Sequence, residues 1–273
     1  MLTLPRLVAL ALAEDIGPGD ITTLATIDPQ ARGHARVYAK QPLVVCGQDA
    51  AAEVFRQCGG TWRAALPDGA TAAPGQDVGH AEGPLAALVT AERCALNFLM
   101  RLSGIATHVR ECVDGIEGID VLDTRKTTPL HRALEKHAVR CGGARNHRFG
   151  LFDGVMIKDN HIVAAGSIDV AVARARAYAH ALLRVEVEVE TLEELHQAIA
   201  AGADVVLLDN MDDATLREAV AITAGRARLE ASGNMTAERV RRLVGIGIDQ
   251  VSMGGLVHQA RWADLSMRVT RQA

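Results

Sequence analysis

The chain has 273 residues, of which 49% are hydrophobic and 23% charged, a composition typical of a globular protein with one large domain or two smaller ones. Its net charge of −4 argues against a general nucleic-acid-binding protein, and its 3% aromatic content argues against stacking on single strands. No segment approaches the roughly 18 consecutive apolar residues of a membrane span, so we expect neither nucleic acid nor membrane as a partner.

The five cysteines are odd in number, and no two have the spacing of a CxxC metal-binding motif. This pattern predicts reduced thiols in a cytoplasmic protein. Cys141 lies in a cationic segment, which would lower the pKa of its thiol. A free cysteine more often packs as a small buried hydrophobic residue, and we favour that interpretation here.

The first predicted element is a helix whose apolar face is formed by Leu4, Leu7, Val8 and Ala11. The same segment faintly resembles a signal peptide, but its apolar run is short and Pro5 precedes it. Short strands and turns follow up to about residue 85, including strands at 33–40 and 42–47. A helix then extends from residue 85 to about residue 102, where Ser103 and Gly104 predict its end.

Beyond this helix, short apolar segments alternate with helical patterns. Six predicted strands lie within residues 119–128, 154–161, 184–190, 203–210, 227–234 and 249–255. Helical spans separate most of them, at residues 168–183, 191–201, 213–224 and 236–246. Such alternation predicts parallel strands with helical crossovers. The strand segments end in polar or small residues, and in (β/α) barrels and open parallel sheets the active site lies at the carboxyl ends of the strands.

Charge indicates the kind of ligand. Residues 124–161 contain eight Lys or Arg and three acidic residues, a local net charge of +5. This concentration suits a small, densely anionic substrate. Three of these cations follow predicted strands: Arg125, Lys126 and Lys158. Three others have helical spacing and fit a solvated helix face equally well: Arg132, Lys136 and Arg140. Neither a GxGxxG fingerprint nor a Walker A loop is present, so an ordinary nucleotide-binding site has no support.

Acidic residues come from later strands. Glu186, Glu188 and Glu190 alternate with valines, so all three point to one side of the strand. On an inward face they would need cations or a metal, and an outward face is the alternative. Asp209 ends an apolar run. Carboxylates at strand ends predict contacts with ribose hydroxyls or with Mg²⁺ that keeps most of its waters.

The last two strands end in small residues, Ser232-Gly233-Asn234 and Gly254-Gly255. Small side chains allow backbone N–H groups to approach an anion, and barrels frequently bind phosphate after their last two strands. Simple tight turns are the alternative. No Ser-His-Asp or Cys-His set is evident. The pattern therefore favours transfer at a phosphorylated sugar, where positioning and electrostatics do most of the catalysis.

Eight motifs then occur in a recognisable order: EDIGPGDITT (14–23), ERCALNFLMRLSGIAT (92–107), DTRKTTPLHRALEKHAV (123–139), GGARNHRFGLFDGVMIKDNH (142–161), EVEVE (186–190), LLDNM (207–211), EASGN (230–234) and SMGGLVH (252–258). On these motifs the chain closely resembles the quinolinate phosphoribosyltransferase family, over nearly its whole length. The resemblance implies an α/β fold with an N-terminal α/β sandwich domain, residues 1–103 joined by the tail 261–273, and an incomplete (β/α) barrel, residues 104–260. It also implies a homodimer with shared active sites and leaves any higher oligomer open.

The implied reaction joins quinolinate and phosphoribosyl pyrophosphate to give nicotinate mononucleotide, pyrophosphate and CO₂ in NAD biosynthesis, with Mg²⁺. By position, four residues resemble the quinolinate site: Arg125, His147, Arg148 and Lys158. Arg93 resembles an arginine that the partner subunit contributes. Thr124 and Lys126 fall beside the substrates, with Lys126 near the pyrophosphate. Glu188 and Asp209 match acids that handle ribose and Mg²⁺, directly or through water, and with Lys126 they form the expected catalytic set. The 5′-phosphate cradle would comprise Ser232, Gly233, Asn234, Gly254 and Gly255.

The chain departs from the family pattern in three loops. The family usually has Gly where this chain has Leu130, before His131, and a second Gly where it has Asn234. Residues 252–259 also differ from the usual SVGALTHS. Three further functions stay open: a paralogue associated with molybdate uptake, which the intact KDNH and NHR motifs disfavour, a barrel aldolase using Lys158 or Lys126 as a Schiff-base lysine, and a nucleotide sensor. We expect Asp159, Asn160 and His161 to brace the loop that aims Lys158.

Overall fold

The computed structural model describes residues 2–272. The chain divides into two compact units, a first unit of Met1–Glu111, Thr128–Gly143 and Gln259–Ala273 and a second unit of Cys112–Thr127 and Ala144–His258. The domain boundaries expected from the sequence differ mainly in assigning residues 128–143 to the barrel, and they remain a prediction.

The first unit is an α/β sandwich. Its helices are α1 (Leu4–Ile16), α2 (Ile21–Thr26), α3 (Gln48–Cys58), most of α4 (Leu85–Val113) and α5 (Arg132–Gly142). Its strands are β1 (Arg32–Ala39), β2 (Leu43–Val44), β3 (Thr61–Ala64), β4 (Thr71–Ala72), β5 (Asp77–Pro84) and β12 (Leu265–Arg271). Four of them form a sheet in the order β12-β1-β5-β3, and β2 pairs with β4. The C-terminal strand therefore completes this sheet, antiparallel to β1.

Burial in the first unit follows the periodicity of the sequence. Strand β1 alternates between exposed and buried residues, because its apolar positions pack against helices on one face only. Helix α1 buries Leu7 and Val8, which confirms the central part of the predicted apolar face, and Leu12 extends it. Helices α1 and α3 and the first half of α4 supply one apolar cluster of this unit.

The predicted end of the long helix at Ser103 and Gly104 is wrong, because α4 continues without interruption to Val113. Both residues serve close packing instead. A side chain at Gly104 would collide with the backbone oxygen of Arg261, 2.0 Å from the position of a Cβ. The Ser103 hydroxyl bonds to the backbone N–H and C=O of Cys46 at 3.0 and 3.1 Å. Small residues inside a helix here permit contact rather than end the helix.

The second unit is an incomplete (β/α) barrel. Its strands are β6 (Asp120–Leu122), β7 (Val155–Ile157), β8 (Val185–Val189), β9 (Val205–Asp209), β10 (Arg228–Ser232) and β11 (Gln250–Ser252). Its helices are α6 (Asp159–Ala165), α7 (Ile168–Tyr178), α8 (Leu192–Ala200), α9 (Asp213–Thr223), α10 (Ala237–Leu243) and α11 (Gly255–His258). All six strands are parallel in the order β6-β11-β10-β9-β8-β7, with β6 and β7 at the two edges. This confirms the α/β class and the parallel crossovers predicted from alternation.

Parallel pairing brings the carboxyl ends of the strands to one edge of the sheet. The predicted crossover helices are all present, although each is shorter than its sequence pattern. Helix α7, for example, ends at Tyr178 rather than residue 183, because Tyr178 and Leu182 are almost fully exposed and give the extra turn nothing to pack against. No helix among residues 2–272 has both the length and the apolar composition needed to cross a membrane.

One loop has unfavourable backbone geometry. Leu130, which replaces the glycine usual in the resembled family, has φ of 68° and a side chain that is 68% exposed. Only glycine adopts this left-handed region without steric cost, which for other residues is roughly 1–2 kcal/mol. Asn234, at the second departure, is also left-handed with φ of 49°, and asparagine tolerates this conformation better than leucine does.

Replacing Leu130 by glycine should therefore stabilise the protein. Relief of the left-handed strain exceeds the added entropy of glycine in the unfolded chain, so we expect Leu130→Gly to raise the free energy of unfolding by about 0.5–1 kcal/mol. Urea denaturation monitored by circular dichroism would measure this change. The matched control is Leu182→Gly, another exposed leucine, outside the left-handed set, which should not stabilise. Equal effects of both variants would contradict the strain argument.

Candidate active site

A fully buried carboxylate joins two segments that carry site residues. Asp123 follows β6 and is 0% exposed. Its side chain accepts hydrogen bonds from Asn146 Nδ2 at 2.7 Å and from the His147 backbone N–H at 2.8 Å. A backbone bond from Asp123 N to the Arg145 oxygen, at 3.1 Å, reinforces the connection. These bonds compensate the burial of the charge and place residues 145–148 beside the end of β6.

Thr124, Arg125 and Lys126 emerge directly after Asp123 at the carboxyl end of β6. The backbone N–H of Lys126 donates to the Thr124 hydroxyl at 3.0 Å, which turns the chain at this point. The Lys126 side chain passes over Gly254, where a Cβ would lie 2.8 Å from Lys126 Cδ. Glycine at 254 therefore leaves room for the lysine, and Lys126 extends from β6 across the loop that follows β11.

His147 lies between two acids. Its Nδ1 accepts the backbone N–H of Arg148 at 2.7 Å, so the proton of the neutral ring is on Nε2. That Nε2 is 3.1 Å from Glu186 Oε2 and 3.6 Å from Glu230 Oε2. Arg148 is anchored through Nη1 to the Gly154 oxygen at 3.1 Å. Burial lowers the pKa of Arg148, and the nearby positive charge of Arg125 lowers it further.

The two acids beside His147 form a buried carboxyl pair. Glu230 is fully buried and Glu186 nearly so, and Oε1 of each has no hydrogen-bond partner within residues 2–272. Gln250 Nε2 donates to Glu230 Oε2 at 2.5 Å. Burial raises the pKa of Glu230 to about 7, with the Glu186 charge as the second cause. Near neutral pH Glu230 can therefore hold or release a proton.

Lys158 and Glu188 face each other across neighbouring strands. Lys158 follows β7, and its Nζ forms an ion pair with Glu188 Oε2 on β8. The lysine side chain is 40% exposed, so the pair borders open space. His161 Nδ1 accepts the backbone N–H of Lys158 at 3.0 Å, which confirms the expected bracing for His161. Asp159 and Asn160 begin α6, and the short strand β7 ends before Lys158.

Asp209 ends β9 and is followed by a tight loop. Its Oδ2 accepts Asn210 Nδ2 at 2.7 Å, and the Asn210 backbone N–H donates to the Ser232 oxygen at 3.1 Å. Gly233 has φ of 91°, and a Cβ there would lie 2.2 Å from Asn210 Oδ1. Glycine is therefore the residue that lets the loops after β9 and β10 approach each other. Arg239 connects the same loops, donating to the Gly233 oxygen at 3.1 Å.

The strand ends surround a cavity of about 360 Å³ at the carboxyl edge of the second unit's sheet. Nine of the residues expected from the sequence line it: Thr124, Arg125, Lys126, His147, Arg148, Lys158, Glu188, Asp209 and Ser232. Its volume lies in the range of small-molecule sites. Four cationic side chains share it with three acids, which suits a substrate that carries several negative charges and a sugar.

Five expected residues do not line this cavity. Gly233, Asn234, Gly254 and Gly255 belong to the neighbouring loops, where they shape the backbone. Arg93 is exposed on α4 of the first unit. Arg132, Lys136 and Arg140 lie on α5 of the first unit. The prediction that they share one solvated helix face is wrong, because Lys136 is only 3% exposed. The inward orientation is confirmed for Glu186 and Glu188, whereas Glu190 is exposed beyond the end of β8.

Sequence reasoning missed several residues that shape the site. The main ones are Asp123, Glu230, Ser252 and Arg239. Glu230 is an acid between the apolar residues Leu229 and Ala231, and Asp123 lies two positions before the cationic pair Arg125-Lys126. The partners that make them important come from distant segments, so the pattern alone gives no role.

Glu188 and Asp209 fit a metal ion only in part. Within residues 2–272, possible metal ligands converge in two places. One is formed by His147, Glu186 and Glu230, and the other lies in the first unit. Neither includes Glu188 or Asp209. Two separate carboxylates do not form a complete cage, but they suit Mg²⁺ that keeps most of its waters and takes substrate oxygens as further ligands.

Comparisons with known proteins cover nearly the whole chain. Residues 20–103 match the family model "Quinolinate phosphoribosyl transferase, N-terminal domain", and residues 105–268 match its "C-terminal domain". The chain is 43% identical, over 98% of its length and 94% of the relative's, to "Probable nicotinate-nucleotide pyrophosphorylase [carboxylating]" of Bacillus subtilis. A relative of that name from Synechocystis is 42% identical over 95% of this chain and 90% of its own. The crystal structure of NadC from Streptococcus pyogenes superposes with a TM-score of 0.94 at 41% identity, covering 100% of this chain and 99% of that one.

The buried carboxyl pair predicts a specific pH dependence of stability. The pKa of Glu230 is about 7 in the folded chain against an ordinary value of 4.5, so between these values the folded state binds more protons than the unfolded state. The free energy of unfolding should therefore fall as pH rises through this window. Glu230→Gln keeps a neutral side chain and should flatten the fall in urea titrations at several pH values. Glu218→Gln, an exposed glutamate on α9, is the control, and an unchanged slope in Glu230→Gln would exclude Glu230 as its source.

Proposed function

The chain belongs to the quinolinate phosphoribosyltransferase family, and on that premise we propose that it transfers the phosphoribosyl group of 5-phosphoribosyl 1-pyrophosphate to quinolinate with decarboxylation. The products are nicotinate mononucleotide, pyrophosphate and CO₂, which makes the chain a pentosyltransferase of de novo NAD biosynthesis. One observation carries the proposal. A single cavity brings a cationic wall, from β6, β7 and residues 147–148, to face carboxylates at the ends of β8 and β9.

The cationic wall suits quinolinate, a pyridine with two adjacent carboxylates. Arg125 and Arg148 can each present a planar fork to a carboxylate, and Lys158 adds a point charge. Arg148 is the best positioned of the three, because its backbone and guanidinium are both anchored. His147 helps to fix the position of Arg148, because it bonds both to the Arg148 backbone and to Glu186.

The carboxylates suit the sugar. In the proposed step the pyridine nitrogen forms a bond to ribose C1 while the bond from C1 to the pyrophosphate oxygen breaks. Positive charge develops on the sugar, and Glu188 and Asp209 would stabilise it electrostatically. Lys126, which crosses Gly254, would neutralise the departing pyrophosphate. The bond from ring carbon 2 to its carboxyl group then breaks, leaving its electron pair on a ring that the positive nitrogen stabilises, and that carbon takes up a proton.

The loops after β10 and β11 suit the 5′-phosphate. Ser232 offers a hydroxyl to the cavity, and Gly233, Asn234, Gly254 and Gly255 leave their backbone N–H groups approachable. Mg²⁺ would be held by Glu188 and Asp209, directly or through water, together with pyrophosphate oxygens. Its role there is to neutralise charge on the leaving group.

We further propose a homodimer with shared sites, in a reducing cytoplasmic environment. Arg93, the residue expected to act in the partner's site, is exposed on α4 and so is accessible to a second subunit. The first unit also has an apolar groove of about 530 Å³ whose lining includes the exposed Leu10, Leu130 and Trp262. Exposed apolar surface of this kind supports association. All five cysteines are free thiols, which supports a reducing compartment.

The function is tested by incubating the protein with quinolinate, phosphoribosyl pyrophosphate and Mg²⁺ and measuring nicotinate mononucleotide. We expect turnover that is lost with a chelator and with nicotinate in place of quinolinate. Lys126→Ala should lower kcat on the order of 100-fold or more, because an uncompensated charge on the leaving group raises the barrier. The control is Lys40→Ala, a surface lysine paired with Asp264 in the first unit. Absence of the product with folded wild-type protein would refute the activity.

Shared sites are tested by mixing two inactive variants, Arg93→Ala and Lys126→Ala. If each site takes Arg93 from the partner, a mixed dimer holds one site with both wild-type residues. Random pairing makes half of the dimers mixed, so co-refolded or co-expressed protein should recover about a quarter of the wild-type activity. If the two residues acted within one chain, every site would stay defective and no activity would return.

A further inference from the structure

Two thiols, an imidazole and a carboxylate converge in the first unit. Cys46 follows β2, Asp68 lies in the turn between β3 and β4, and His137 and Cys141 lie one turn apart on α5. Each offers one ligand atom, and the four atoms lie within 4.8 Å of one another. We propose that this Cys₂HisAsp cluster is a structural binding site for one thiophilic divalent cation, of which Zn²⁺ is the best match.

The spacing suits tetrahedral coordination. In a site with Zn–S near 2.3 Å and Zn–N or Zn–O near 2.0–2.2 Å, ligand atoms lie roughly 3.3–3.8 Å apart. His137 Nε2 is 3.5 Å from Cys141 Sγ and therefore already within this range. His137 Nε2 and Asp68 Oδ2 are 2.8 Å apart, the length of a hydrogen bond. A cation would replace the proton between these two atoms and increase the distance between them by about 0.5 Å.

Three of the four ligand residues are held by bonds outside the cluster. The Ser103 hydroxyl fixes both the N–H and the C=O of Cys46. Asp68 uses Oδ1 to accept the backbone N–H groups of Gly47 and Gln48, at 3.0 and 3.2 Å, which leaves Oδ2 for the cluster. The backbone oxygen of Cys141 accepts Arg110 Nη2 at 3.0 Å. Such support fixes the orientation of ligands before a metal arrives and strengthens binding.

Donor type selects the cation. Two thiolates with an imidazole favour Zn²⁺ strongly over Mg²⁺ or Ca²⁺, which prefer oxygen ligands. The His137 side chain is 41% exposed, which gives the ion a path from solvent. The site would join β2, the β3–β4 turn and α5, three segments distant in sequence, and so stabilise the first unit. A Cys46–Cys141 disulfide is the competing chemistry, but it would leave the imidazole and the carboxylate without a part.

The test uses the full-length protein, reduced and freed of metal by a chelator, and titrated with Zn²⁺ in competition with a chromogenic chelator. We expect one tight site per chain and, at about a hundredfold excess of free Zn²⁺ over Kd, a rise in Tm of roughly 5–10 °C. Co²⁺ in place of Zn²⁺ should give a thiolate-to-metal charge-transfer band. Cys141→Ser and His137→Gln should each weaken binding on the order of 100-fold or more.

Controls separate this site from the active site and from general thiol effects. Cys58→Ser removes a partly exposed thiol of α3 outside the cluster, and Glu188→Gln removes an active-site carboxylate; both should keep the Zn²⁺ affinity. Metal-free circular dichroism verifies the fold of each variant, and the partly exposed His137→Gln provides a second route should Cys141→Ser unfold. The proposal is overturned if reduced protein binds no Zn²⁺, if both cluster variants bind it normally, or if bound Co²⁺ shows no thiolate band.

Discussion

The arrangement of the active site depends on the buried carboxylate of Asp123. This one side chain joins the end of β6 to residues 145–148 through bonds to a side-chain amide and a backbone N–H. Without it, the two segments would keep the backbone hydrogen bonds of Arg145 but lose the side-chain bonds that hold Asn146 and His147. A charged group without any exposure is tolerated only when its hydrogen bonds are satisfied, so the same bonds that stabilise Asp123 also orient the cationic wall.

Opposite charges then divide the cavity. Cations follow the edge strands β6 and β7, and acids follow the central strands, with the Lys158–Glu188 pair at the boundary. Behind this boundary, His147 contacts the buried carboxyl groups of Glu186 and Glu230, and burial raises the pKa of Glu230 to about 7. A site with this distribution of charge suits an anion on one side and a developing positive charge on the other. Both properties are needed when an anionic acceptor displaces pyrophosphate from a sugar.

The cluster of Cys46, Asp68, His137 and Cys141 bears on both interpretations of Cys141 that the sequence allows. Cys141 was expected to pack as an ordinary hydrophobic residue, with a cationic neighbourhood as the alternative cause of a low pKa. Its pKa is indeed lowered, but chiefly by the thiol of Cys46, which is 95 positions away in the chain. The residues beside it in the sequence contribute less than a partner brought near by the fold.

The sequence by itself determined the strand–helix alternation, the parallel sheet and the position of the site at the strand ends. These follow from local periodicity and from the polar residues that end each strand, such as Lys158 and Asp209. Nine residues expected from these strand ends or from the family resemblance line one cavity. Only the tertiary structure decided that α4 continues through Ser103 and Gly104, that Lys136 is buried, and that Asp123 and Glu230 organise the site. Each of these depends on atoms from distant segments, because a glycine's contact or a carboxylate's partner is set by packing and cannot be read from its neighbours in the chain.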